Sequence, residues 1–157
     1  MASKPSSAVQ SPETYVGYRR AERFASPEKL ATDAPRTYRA PERLLPNQWA
    51  LSGSWKIGPE SAVLETTGGR IVFRYQSRDL HLMLARSKDG RPVRFKLTLD
   101  GALPGDAQGT DSAPDGSGEV REPRLYQLIR QRTRVDDRRF EIEFLDPDVR
   151  AFVFTFG

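Results

Sequence analysis

Alternation of apolar and polar residues dominates the chain downstream of Pro46. Strand residues point alternately to opposite faces, so an apolar residue at every second position marks a strand with one buried face. The stretches "WALSGSWKI", "GRIVFRYQ", "PVRFKLTLDG" and "RRFEIEFLD" follow this pattern, and "DLHLMLAR" is typical of an inner strand. Together with "SAVLETT", "RLYQLIR" and "VRAFVFTFG", they predict roughly eight short strands and little helix.

The number and composition of these strands predict two packed sheets. A single antiparallel sheet cannot bury both the phenylalanines of "VRAFVFTFG" and the leucines of "DLHLMLAR", whereas two facing sheets can. The predicted fold is therefore all-β, an antiparallel two-sheet β-sandwich or jelly roll. Gly68 and Gly69 predict a hairpin that joins "SAVLETT" to "GRIVFRYQ".

Changes in composition divide the chain into three parts. Residues 1–10 are small and polar, which predicts a disordered leader. Residues 11–45 contain prolines at short intervals, so we expect a wrapping or interdomain segment with one short strand or helical turn. Residues 46–157 form the predicted sandwich domain, and the almost purely polar stretch 102–118 is expected to be a long exposed loop.

Charge and length narrow the possible functions. The chain has 157 residues, the size of one domain, and its 25 Lys and Arg exceed its 21 Asp and Glu by a net +4. Basic residues are interleaved with acids, as in "VDDRRFEIE", so neither a basic stripe nor nucleic-acid binding is predicted. The chain has no long apolar run and no signal-like leader, so neither membrane insertion nor a targeting signal is predicted.

The chain lacks the residues needed for thiol chemistry, for a Cys- or His-based metal site and for catalysis by a histidine base. The chain contains no cysteine, which excludes disulfides and any thiol redox step performed by the chain itself. Its one histidine, His81, lies between two leucines and is interpreted as a packing residue, because a general base needs an orienting partner and an accessible pocket. We therefore predict no catalytic residue, no metal site and no cofactor.

Two groups of acidic residues are best explained as solvent-exposed charges. Glu141 and Glu143 share the outward face of one predicted strand, so a glycosidase pair is a weaker interpretation than a solvated sheet face. Asp106, Asp111 and Asp115 provide oxygens that suit calcium, but their spacing matches no EF-hand loop. Solvation of the loop is the preferred interpretation, with calcium left open.

Aromatic residues are the remaining candidates for binding. Trp49 is predicted to lie in the core, whereas Trp55 lies near a turn and could reach a sheet edge. A flat ring with a nearby polar group is sufficient for weak sugar binding. Trp55, Tyr126 and the nearby Arg124 are therefore the candidate ligand-binding residues.

Five stretches in register carry a family resemblance: "SPETYVGYRRAERFASPE", "LPNQWALSGSWKIGPESAVL", "VRFKLTLDG", "VREPRLYQLI" and "VRAFVFTFG". Together they resemble the C-terminal domain of DipZ-type thioredoxin-like proteins over nearly all of residues 11–157. The resemblance implies an upstream thioredoxin-like domain with a Cys-x-x-Cys pair, often behind a membrane-embedded domain related to cytochrome c biogenesis. It also implies a jelly roll similar to carbohydrate-binding modules. Because both cysteines are missing, we expect this chain to be the downstream domain or a fragment, without the family's redox activity.

The resemblance implies an extracytoplasmic setting, in the periplasm or cell envelope, and leaves two roles open. The first is a non-catalytic accessory or recognition domain, which packs against the thioredoxin-like domain or recognises its protein or glycan substrate. Tyr15 and Tyr18 would then lie at the interdomain contact. The alternative is a genuine carbohydrate-binding module for a cell-wall or cell-surface glycan.

Overall fold

The computed structural model describes residues 10–86, 88 and 90–157. Within this part of the chain there are eleven strands and one short 3₁₀ turn at Gly105–Ala107. The strands are β1 (Thr14–Tyr15), β2 (Pro35–Tyr38), β3 (Trp49–Ile57), β4 (Ala62–Leu64), β5 (Arg70–Gln76), β6 (Asp79–Arg86), β7 (Val93–Leu99), β8 (Ser117–Val120), β9 (Arg124–Arg130), β10 (Asp137–Phe144) and β11 (Val149–Thr155).

The strands form two antiparallel sheets that share β3. Sheet I has the order β2-β3-β4-β11-β6-β9, with β1 also paired to β11, and sheet II has the order β3-β5-β10-β7-β8. Residues 49–52 of β3 pair with β5 in sheet II, whereas residues 53–57 pair with β2 and β4 in sheet I. The all-β two-sheet sandwich predicted from alternation is confirmed.

Gly53 lies where β3 passes from one sheet to the other. Its φ is +98°, a conformation that side-chain-bearing residues rarely adopt, and a Cβ there would lie 3.0 Å from the Cα of Gly69. The glycine between the two tryptophans is therefore required by the bend of the strand.

The core lies between the inner faces of the two sheets. It also includes Val16 and Tyr38, so residues on both sides of position 46 contribute to one hydrophobic cluster. The largest fully buried side chains are Trp49, Trp55, Tyr38, Tyr75, Tyr126, Phe73, Phe95, Phe140, Phe144, Phe154, Leu51 and Ile57.

The predicted hairpin through Gly68 and Gly69 is wrong. Strand β4 pairs with β3 and β11 in sheet I, and β5 pairs with β3 and β10 in sheet II. The glycines instead carry the chain from one sheet to the other, where Gly68 N donates to Phe144 O and Phe144 N donates to Gly69 O. Glycine marks a sharp turn in either arrangement, so sequence alone did not distinguish them.

The stretch 102–118, predicted as a long exposed loop, is only partly exposed. Its backbone lies along the edge of sheet I, where Gly109 N donates to Leu128 O and Asp111 N donates to Gln127 O. It ends in the first residues of β8. Strand β9 is at the edge of sheet I, so one side of its backbone has no strand partner. The polar loop packs there because its own backbone can form hydrogen bonds with these free N–H and C=O groups.

Most of the predicted leader, residues 1–9, lies outside the described residues. The described part of 11–45 contributes β1 and β2 and is hydrogen-bonded to the sandwich, for example from Ser11 N to Gln76 O at 2.9 Å. No helix among the described residues is long and apolar enough to cross a membrane.

Candidate functional site

An open concavity with an apolar floor lies beside β1. It has a volume of about 490 Å³, and we call it the N-terminal groove. Strand β1 forms one wall by pairing with β11, where Tyr15 lies opposite Val153. The groove is lined by Tyr15, Gly17, Arg19, Arg20, Pro59, Glu60, Met83, Phe152 and Val153.

A β-bulge supplies the floor of this groove. Ala151 pairs with Leu84 and Phe154 pairs with Leu82, so β11 has one more residue than β6 between these pairs. Phe152 and Val153, the residues at the bulge, are both half-buried and line the groove. The bulge therefore adds apolar side chains to the outer surface of sheet I.

Tyr15 is half-buried at the wall of the groove. Its hydroxyl donates to Glu13 Oε1 at 3.1 Å, and the guanidinium of Arg20 lies 3.9 Å from the ring centroid. A cation over an aromatic face is an attractive contact. One face of Tyr15 is thus occupied by an arginine of the same segment.

Tyr18 fixes the same segment to sheet I. Its amide donates to Gly58 O at 2.9 Å, and its hydroxyl donates to Asp33 Oδ2 at 2.8 Å. The hydrogen bond to the Asp33 carboxylate raises the pKa of Tyr18, because the protonated hydroxyl is the donor. A Cβ at Gly17 would lie 2.3 Å from the carbonyl carbon of Glu60, so this close approach requires glycine.

A second, smaller concavity adjoins the first across Pro59, Glu60 and Phe152. It has a volume of about 310 Å³, and we call it the cationic groove. It is lined by Lys56, Gly58, Pro59, Glu60, Ser61, Val63, Arg150 and Phe152.

Both tryptophans are core residues. Trp49 is fully buried, and its indole N–H donates to Glu22 O at 2.8 Å, which confirms its predicted position. Trp55 is also fully buried, with its N–H donating to Ser52 O at 2.9 Å and its ring edge-on to Phe144. Its predicted role as a ligand-stacking face does not fit this burial, because alternation along β3 puts Trp55 on the same inward face as Leu51 and Ile57.

Arg124 and Tyr126 lie together as predicted, but the Arg124 guanidinium occupies the face of the Tyr126 ring. The Tyr126 ring is 1% exposed, the Arg124 guanidinium lies 4.1 Å from its centroid, and the hydroxyl donates to Glu122 O at 2.8 Å. Arg124 also forms two hydrogen bonds with Asp111, at 3.0 and 2.5 Å. Tyr126 thus has no open face for a sugar, contrary to the sequence prediction.

Asp111 is held as a carboxylate by these contacts. Partial burial disfavours its charge, but hydrogen bonds from the Arg124 side chain and the Gln127 amide outweigh burial and lower its pKa. Asp115 accepts hydrogen bonds from the amide and hydroxyl of Ser117. Within the described residues, no group of three or more potential ligands is placed to hold a metal ion.

The other acidic candidates and the histidine lie apart. The Glu141 carboxylate lies 3.4 Å from the Arg70 guanidinium, as an ordinary cross-strand ion pair on the outer face of sheet II. His81 is half-buried on β6, in sheet I. The two positions are on different sheets, so the structure does not assemble them into one site.

Sequence reasoning singled out Tyr15 of the N-terminal groove wall but missed the apolar residues that form its floor. Met83 stands at an outward position of β6, and the run Phe152, Val153, Phe154 breaks strict alternation. An unbroken apolar run in an otherwise alternating strand is a signal of a bulge.

Comparison with known proteins identifies a family. A family model described as the thioredoxin-like C-terminal domain matches residues 11–157. Among curated protein sequences, no match to the chain is found.

Two solved structures are similar at a low level. The C-terminal CBM6 of LamC, a marine laminarinase from Zobellia galactanivorans, is 11% identical with a TM-score of 0.38, and the match covers 66% of this chain and 78% of that one. A CBM6 from Clostridium stercorarium, in complex with cellobiose, is 12% identical with a TM-score of 0.36, covering 68% and 75%. At these scores neither structure bears on the function of the chain.

Proposed function

The chain belongs to the family of thioredoxin-like C-terminal domains, and from this premise we propose that it is a non-catalytic accessory domain of a thiol-disulfide protein. In this proposal the N-terminal groove packs against a thioredoxin-like redox domain, in an extracytoplasmic setting. The observation that carries it is the open, apolar floor of that groove, formed by Met83, Phe152 and Val153.

Docking is the role that suits such a floor. Half-exposed apolar residues gathered in one concavity lose contact with water when a partner covers them, at about 25 cal/mol per Å² of apolar surface. Arg19 and Arg20 stand at the rim, an arrangement common to interfaces with an apolar centre and a polar periphery. Tyr15 and Tyr18 belong to the segment that forms the wall, so we keep both as proposed interdomain residues.

The redox step is assigned to the partner domain. Thiol-disulfide exchange needs a thiolate, and this chain has no cysteine. In the proposed arrangement this chain positions the redox domain or its substrate and takes no part in bond making.

The alternative, a glycan-binding module, is not favoured by the positions of the residues predicted for it. Such a site needs an aromatic face open to solvent, and Trp55 and Tyr126 are both buried. A separate titration of the isotope-labelled chain with soluble cell-wall oligosaccharides tests this alternative, and saturable binding would make it the better one.

The test adds the thioredoxin-like domain of a family member to the isotope-labelled chain and follows amide shifts by NMR. Met83→Glu puts a charge on the groove floor and is expected to weaken binding at least tenfold. Thr98→Glu is the matched control, because Thr98 is equally half-buried but faces outward from sheet II. Equal binding by both variants, or shifts confined to sheet II, would contradict the proposal.

A further inference from the structure

We propose that the cationic groove binds an extended acidic segment of polypeptide, in which two carboxylates flank an apolar side chain. The cationic groove shares Pro59, Glu60 and Phe152 with the N-terminal groove, but the residues that carry this inference, Lys56, Val63 and Arg150, line only the cationic groove. It therefore does not depend on the proposed function.

Strand register places two cations on either side of an apolar residue. Lys56 of β3 pairs with Val63 of β4, and Val63 pairs with Arg150 of β11. Adjacent strands lie about 4.8 Å apart, so the Cα atoms of Lys56 and Arg150 are about 10 Å apart across the sheet. The outer face of sheet I thus presents the row cation, apolar residue, cation.

These two cations have no counter-ion within the described part of the chain. Other cations near the grooves are engaged: Arg19 lies 3.5 Å from Glu60, and Arg20 stacks over Tyr15. Between residues that the structure describes, no ion pair or hydrogen bond involves the side chain of Lys56 or Arg150. Among the described residues that line the groove, Glu60 is the only acid, and it pairs with Arg19, so the groove offers unpaired positive charge to an acidic ligand.

The apolar floor favours a peptide over a purely anionic ligand. Val63 and Phe152 are half-buried and give the groove a surface that a phosphate or sulfate group cannot cover favourably. In an extended chain, residues i, i+2 and i+4 share one face and span about 13 Å. This span is slightly longer than the distance of about 10 Å between the Cα atoms of Lys56 and Arg150, and their flexible side chains make up the difference. The preferred peptide pattern is therefore acid-x-apolar-x-acid.

The test titrates three heptapeptides into the isotope-labelled chain. They share the frame Thr-Xaa-Thr-Phe-Thr-Xaa-Thr, capped at both ends, with Glu, Gln or Lys at Xaa. We expect the Glu peptide to bind at least tenfold more tightly than the Gln peptide, with amide shifts in β3, β4 and β11, and no binding of the Lys peptide. Added salt is expected to weaken the Glu peptide alone.

Two double variants distinguish binding in the cationic groove from a general effect of the positive charge of the protein surface. Lys56→Gln with Arg150→Gln is expected to remove the difference between the Glu and Gln peptides. Arg70→Gln with Lys96→Gln removes the same charge from sheet II and is expected to leave it intact. Heparin serves as a polyanion without apolar side chains.

Three results would overturn the proposal. They are equal affinity for the Glu and Gln peptides, equal loss in both double variants, and heparin competing as well as the Glu peptide with the same pattern of shifts. Met83→Glu, which tests docking of the redox domain, lies outside the cationic groove, so either proposal can fail while the other stands.

Discussion

The outer face of sheet II is covered and charged, whereas that of sheet I carries uncovered apolar residues. Where sheet II points Ala50 and Val72 outward, Leu44 packs over them, and all three are buried. Hydrogen bonds from Arg74 to Leu44 O and from Arg139 to Pro41 O hold this covering segment in place.

On sheet I, none of the segments that the structure describes covers the corresponding outward positions. Met83, Phe152 and Val153 remain half-buried around an open groove, and Leu125, opposite Met83 on β9, is 39% exposed. Over residues 10–86, 88 and 90–157, the chain thus covers one outward apolar patch with its own segment and leaves the other open. This difference is why we place the proposed docking surface on sheet I and not on sheet II.

The largest expected effect is the difference in unfolding free energy between substitutions on the inner and the outer side of β11. Phe154 is fully buried against Phe73 and Phe140, so Phe154→Ala is expected to cost about 3–5 kcal/mol of unfolding free energy. Phe152→Ala, two residues away at the groove, is expected to cost less than about 1.5 kcal/mol. Urea unfolding of both variants measures this, and equal losses would show that Phe152 is a core residue.

An intermediate effect is expected from uncovering sheet II. Leu44→Ser removes the side chain over Ala50 and Val72, and we expect a loss of about 2 kcal/mol. Binding of a hydrophobic dye should rise in the same variant, because sheet II then exposes apolar surface as sheet I does. Leu45→Ser is the control, since Leu45 is 65% exposed, and a matching loss there would argue against a covering role for Leu44.

The smallest effect concerns an ion pair at the end of sheet II. Hydrogen bonds from Arg94 hold the pKa of Asp146 at about 2, below its ordinary 3.8. Because the folded pKa is the lower one, this contribution to stability is present above about pH 4 and is lost as the pH falls towards 2.

Arg94→Gln is expected to raise the pKa of Asp146 towards its ordinary value, as read by an NMR titration of the carboxyl carbon. The Arg94 side chain is largely exposed, so the loss of stability at neutral pH should be small and should vanish near pH 2. Lys96→Gln changes the charge of the same sheet and should leave this titration unmoved. An unchanged pKa in Arg94→Gln would show that the pair does not form in solution.

The candidate site was less predictable from the sequence than the fold. Alternation identified the long strands and the buried position of Trp49, because side-chain period is a local property of a strand. It did not locate the grooves, because they depend on how β1 meets the bulge of β11. The burial of Trp55 and Tyr126, the aromatic residues predicted to face a ligand, also depends on packing between strands, such as the contact of Trp55 with Phe144.

The sequence by itself determined an all-β chain with two buried sheet faces and no thiol chemistry of its own, since residue spacing and the absence of cysteine suffice for these conclusions. Only the tertiary structure decided that β4 and β5 belong to different sheets, that Leu44 covers one outer face, and that Met83 and Phe152 remain open on the other. These features arise from pairings between residues far apart in the chain. Local periodicity defines the two faces of a strand but not what will pack against each.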